Sequence, residues 1–107
     1  MKRLLSMLIV LGLVSTAQAQ ETPELCTRVS NLAKDIMEKR QVNYDIMLLI
    51  NTMNNELFDQ IELLNVMQAM IDMAYSQALA TSNDARNQQV EEFTKYWTQR
   101  CLADAQE

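Results

Sequence analysis

From Glu24 to its last residue the chain contains neither glycine nor proline. Glycine is the usual residue for ending a helix or turning sharply, and proline the usual breaker. The one glycine, Gly12, and the one proline, Pro23, both precede this stretch. A run of this kind is expected to be helical nearly throughout, interrupted where Asn, Asp, Ser and Thr cluster. An all-α fold is the first prediction.

The residues before it read as an address label. Lys2 and Arg3 are followed by the 11-residue apolar run Leu4 to Val14, then by Ser15-Thr16-Ala17-Gln18-Ala19. Ala17 and Ala19 are the small residues a signal peptidase reads. The run is too short for a membrane span of about 20 residues. Residues 1–19 are therefore predicted to be a secretory signal peptide, the alternative being a short N-terminal anchor. Residues 20–107, 88 in number, suit one small domain, exported to the periplasm or secreted, with no stable membrane insertion after cleavage.

Four segments follow. Thr22 can cap a first helix with Pro23 at its first position, running to Gln41. Within it Leu25, Val29, Leu32 and Ile36 share a face with Cys26, Ala33 and Met37, while Glu24–Arg28 and Asp35–Lys39 form i,i+4 pairs outside. After the turn residues Val42-Asn43-Tyr44-Asp45, of which Asn43 or Asp45 can cap the next segment, comes a short helix, Ile46 to Met53, which Asn54-Asn55 is expected to break. Glu56 to Ala80 reads as one long helix of 25 residues and the central post of the domain. Its polar stripe is Glu62, Asn65, Gln68, Asp72 and Ser76. Leu57, Phe58, Ile61, Leu64, Met67, Met70, Ile71, Ala74, Tyr75 and Ala78 fill the rest, a face that neighbouring elements must cover. Thr81-Ser82-Asn83-Asp84 is a turn rich in capping side chains. The last helix, Asp84 to Ala103, carries the seam Val90, Phe93, Trp97 and Cys101, with Glu91–Lys95 outside.

Two cysteines, one near each end of an exported domain, point to a disulfide. The alternatives are an intermolecular bridge or metal-binding thiols. An intramolecular bridge constrains topology. With three antiparallel helices Cys26 and Cys101 would sit at opposite poles, roughly 25 Å or more apart. With four elements they share a pole, and a disulfide needs Cα atoms within about 7 Å. The prediction is a small four-element helical bundle, three longer helices and one short, closed by Cys26–Cys101. Closing a loop of this length stabilises by about 4 kcal/mol in the chain-entropy model.

Chemistry is sparse. The chain has no histidine, the mature part has no glycine for a phosphate loop, and its serines have no base at helical spacing. The expectation is a protein that is not an enzyme and carries no cofactor. Met67, Met70 and Met73 place thioethers one turn apart, the pattern of a soft Cu(I) or Ag(I) site, but no His or free thiol completes it and Met is an ordinary core filler. Seven bases against 14 acids leave the mature chain at −7, a poor partner for nucleic acid or anionic lipid. Between Gln41 and Ala85 there is no Lys or Arg, so Asp59, Glu62 and Asp72 form a candidate acidic face for a basic protein partner.

The pattern Cys26-x2-Val29-x2-Leu32-Ala33-x2-Ile36-Met37-x2-Arg40-Gln41, then Ala74-Tyr75, then Gln88-Gln89-Val90-x2-Phe93-x7-Cys101, resembles a family of small exported helical proteins of proteobacteria and their phages. Its members combine a signal peptide with one cysteine near each end of the mature domain. This chain departs from them where they carry glycine after the Arg-Gln pair and proline after the Ala-Tyr segment. The resemblance implies fold and location, and no activity. Together these readings lead to an envelope binding module acting on another envelope protein through its helix faces, as immunity, inhibitor or chaperone-like factors do.

Overall fold

The computed structural model describes residues 23–105. The expected signal peptide and the Thr22 cap lie outside them. Four helices follow in order: α1, Glu24–Gln41; α2, Ile46–Glu56; α3, Ile61–Tyr75; and α4, Asn83–Ala105. Short connections reverse the chain between them. The starts of α1 and α3 therefore meet at one pole, where Arg28 Nη1 donates to Gln60 Oε1 at 3.2 Å. Their ends meet at the other, where Arg40 donates twice to the Gln77 carbonyl, from Nη2 at 2.7 Å and Nε at 3.2 Å.

Cys26 at the start of α1 and Cys101 near the end of α4 are bonded, with Cα atoms 5.5 Å apart across a sequence separation of 75. The up-down-up-down order is what makes this distance attainable, and the short α2 is the element that sets the parity. The fold is the all-α, four-element, disulfide-closed bundle that the spacing of the cysteines predicts.

The core draws on every helix. Val29, Leu32, Ala33, Ile36 and Met37 of α1 meet Leu49 and Met53 of α2, Leu63, Met67, Met70, Ile71 and Ala74 of α3, and Phe93 and Trp97 of α4. Here α1, not the Glu56–Ala80 stretch, is the post. It packs most extensively on α4 and next on α3, and α2 covers the far side of α3. Each interior position of α1 that its periodicity assigns to the core is buried or half-buried.

The middle of the chain differs from expectation. Asn54-Asn55 does not end α2, which continues to Glu56; the Leu57 N–H then closes it on Met53 O at 2.9 Å. The long helix is instead interrupted at 57–60 and stops at Tyr75. A straight helix of 25 residues would be about 38 Å long against about 27 Å for the 18-residue α1, the helix it packs on most, so its ends would overhang that cover. Reversal lets Leu57 turn inward. It leaves Phe58 74% and Ile61 61% exposed, against the expectation that both lie on the covered face. Ala78 is exposed as well, in the loop after α3, whereas the polar stripe Glu62, Asn65, Gln68, Asp72 and Ser76 faces solvent as its spacing requires.

Caps fix the remaining boundaries. Asp45 Oδ2 accepts from Leu48 N–H at 2.9 Å and starts α2, while Asn43 takes the left-handed φ of 58° that terminates α1. Ser82 Oγ accepts from Ala85 N–H at 3.1 Å at the start of α4. Pro23 stands one position before α1, its carbonyl accepting from Thr27 N–H. Among the described residues Lys39–Asp35, at 2.8 Å, is the one ion pair. Glu24–Arg28 and Glu91–Lys95 do not close, and Arg28 reaches Gln60 instead. The loop 76–82 is held from a distance: besides Arg40 on Gln77, Gln41 Oε1 accepts from Ala80 N–H at 3.3 Å and Gln89 Nε2 donates to Ala78 O at 3.0 Å.

Candidate functional site

The parity that joins the cysteines also gathers the start of α1, the start of α3 and the end of α4 at one pole. Three short stripes face one another there. Leu25, Cys26 and Val29 come from α1; Glu62, Asn65 and Val66, at i, i+3 and i+4, from α3; Trp97, Arg100, Cys101 and Asp104 from one face of α4. They enclose a cleft of about 380 Å³, near the small end of the range for ligand clefts, about 300–1,000 Å³. Its floor is apolar and includes the disulfide itself.

Trp97 forms one wall. It is the chain's only tryptophan and is nearly buried, held edge-on by Phe93 (centroids 6.3 Å) and by Tyr96 (5.3 Å). The Arg100 guanidinium lies over its ring, 5.5 Å from the centroid, and donates to Tyr96 Oη at 3.1 Å. The indole Nε1–H is buried and has no hydrogen-bond partner among the described residues. A buried donor without an acceptor costs about 1–3 kcal/mol, a cost the packing around Trp97 bears.

Charge on the rim is uneven. Glu62 on the α3 wall and Asp104 on the α4 wall are exposed, and neither forms an ion pair among the described residues. The cation on the lining, Arg100, is already engaged with Trp97 and Tyr96. The depression along the α1–α4 seam is different: it is more open, and Val90 is the one apolar side chain among Lys34, Glu91, Thr94, Lys95, Thr98 and Gln99.

Of the acidic face expected from the sequence, the structure brings Glu62 to the cleft. Asp59 is exposed in the α2–α3 turn, and Asp72 lies about 15 Å further along the α3 stripe, accepting from Gln68 Nε2 at 3.1 Å. Met67 and Met70 are 2% and 0% exposed and fill the core, with Met73 half-buried beside them. Among the described residues no group of three His, Cys, Asp or Glu side chains could hold a metal ion. The cleft residues Leu25, Val66, Arg100 and Asp104 were not singled out from the sequence as site residues. Nothing local marks them, since they converge only through the packing of three helices.

Compared with protein-family models, curated proteins and solved structures, the chain matches none.

Proposed function

We propose that the protein is an exported, non-enzymatic binding module that recognises another protein of the envelope through its helix faces, in the manner of an immunity, inhibitor or chaperone-like factor. The observation that carries this reading is the apolar cleft at the disulfide pole, lined by side chains of α1, α3 and α4 and rimmed by Glu62 and Asp104, which form no ion pair among the described residues. Surfaces that combine an apolar centre with a charged rim are the usual anatomy of protein recognition. The N-terminal address label, the disulfide and the resemblance to small exported helical proteins support the location.

The test is crosslinking in the periplasm with the tagged mature chain, followed by identification of what is captured. A specific envelope protein should be recovered, and its capture should weaken as salt rises. Recovery of no protein above the level of an unrelated acidic helical control overturns the reading. Copper titration provides the counter-check, with no Cu(I) binding tighter than micromolar expected.

A further inference from the structure

We propose that the cleft at the disulfide pole is the docking site, and that its occupant is a partner polypeptide segment inserting an apolar side chain next to a Lys or Arg. The inference rests on the reading of the protein as a binding module and assigns that module its site and the chemistry of its ligand.

Two independent features converge on this occupant. The apolar lining of Leu25, Val29, Val66 and Trp97 takes an apolar group of side-chain size, which the volume of about 380 Å³ accommodates. Glu62 and Asp104 stand on opposite walls, both exposed and without an ion-pair partner among the described residues. They leave room between them for a cation carried on an aliphatic stem. An anionic amphiphile would face two carboxylates against one cation that is already stacked. A second copy of this chain is disfavoured in the same way. The protruding apolar side chains at this pole, Phe58 and Ile61, lie within the segment Glu56 to Glu62, whose charges are all acidic, which would bring like charges to the same rim.

The test uses the ¹⁵N-labelled mature chain and three synthetic peptides: one alternating Leu with Lys, one Leu with Glu, one Ser with Lys. The single indole Nε1–H resonance and the Val66 and Cys101 amides report on the cleft. The Leu/Lys peptide is expected to shift all three signals, and the other two to bind at least about ten-fold more weakly. Glu62→Gln with Asp104→Asn should weaken the Leu/Lys peptide by about two- to ten-fold, the scale of two exposed ion pairs. Glu62→Lys with Asp104→Lys, at exposed positions that leave the core untouched, should reverse the preference toward Leu/Glu. Equal binding of the Leu/Lys and Leu/Glu peptides, shifts mapping away from the cleft, or no shift with any peptide overturns the proposal. Capture of an envelope partner undiminished by Val66→Lys also overturns it, yet leaves the broader binding function standing. Leu/Lys binding in the cleft with no captured partner would do the reverse.

Discussion

Removing the disulfide is the sharpest perturbation of this fold, because the bond closes almost the whole domain. The sulfurs join positions 75 residues apart, and in the chain-entropy model a loop of that length raises the free energy of the unfolded state by about 4.5 kcal/mol. A domain of this size has a total stability of about 4–13 kcal/mol. Cys26→Ala with Cys101→Ala is therefore expected to lose about 4 kcal/mol and to lower the melting temperature by roughly 15–30 °C. Alanine avoids burying a hydroxyl at position 26, which is 1% exposed. Urea titration followed by Trp97 fluorescence and by helical circular dichroism measures the change. The slope with urea should rise, since an uncrosslinked unfolded chain exposes more surface. Chemical reduction of the wild type should reproduce the variant, and non-reducing mass analysis of the wild type should find no free thiol. A loss below about 1 kcal/mol with an unchanged slope would refute the argument that the bond acts by restraining the unfolded chain. Two free thiols in the mature protein would remove its premise.

Three further outcomes follow from particular contacts. Leu57→Ala should cost about 2–3 kcal/mol in urea unfolding, whereas Phe58→Ala, one residue on, should stay within about 0.5 kcal/mol, because the turn buries the first and exposes the second; equal costs would mean the interruption is misplaced. Asp45→Ala removes the carboxylate that accepts from Leu48 N–H and should cost about 1 kcal/mol, with Asp45→Asn close to wild type. Stability should fall as pH rises from about 10. Burial, opposed in part by Arg40, raises the Tyr75 phenol above its ordinary value of 10.0, and the hydrogen bond from Lys39 to the Asp35 carboxylate raises the half-buried Lys39 ammonium above 10.5. In both cases the folded state holds its proton longer than the unfolded state. The contribution is complete below the unfolded value and is lost as pH climbs through the folded one. Tyr75→Phe should flatten the tyrosine part of that slope while losing the 2.6 Å bond to Tyr44 O.

Those boundaries divide by the range of the interaction that sets them. The α1 face, the Trp97 seam, the Asp45 cap and the helix count were legible in the sequence, because periodicity, capping chemistry and cysteine parity are written in neighbouring residues. The end of α3 was not. Nothing between Tyr75 and Ala80 breaks a helix; Arg40, 37 residues earlier, takes the Gln77 carbonyl with two bonds and lies 5.1 Å from the Tyr75 ring centroid. Gln41 and Gln89 complete the restraint on the same loop. Asn54-Asn55 misled for the opposite reason. A local preference for ending a helix was outweighed by burial of Met53 and Leu57 on either side of it.

The cleft could be reached from the sequence only by one further step of the parity argument. If four elements are needed to bring Cys26 to Cys101, the start of the third element must stand at the same pole; read from Glu56, that element holds Val66 about three turns in, and it is the observed start at Ile61 that brings Glu62 and Val66 into the first two turns. The chain's bases are confined to the first and last segments and its central segments are wholly acidic, so the α3 wall of any opening at that pole must be acidic or neutral. What periodicity could not supply is that α3 and α4 stay far enough apart to leave the opening. That separation follows from α4 packing chiefly on α1 while α3 divides its contacts between α1 and α2. With α3 drawn toward α2, Val66 remains half-buried beside Trp97 rather than sealed against it, and the acidic-rimmed cleft stays open between them.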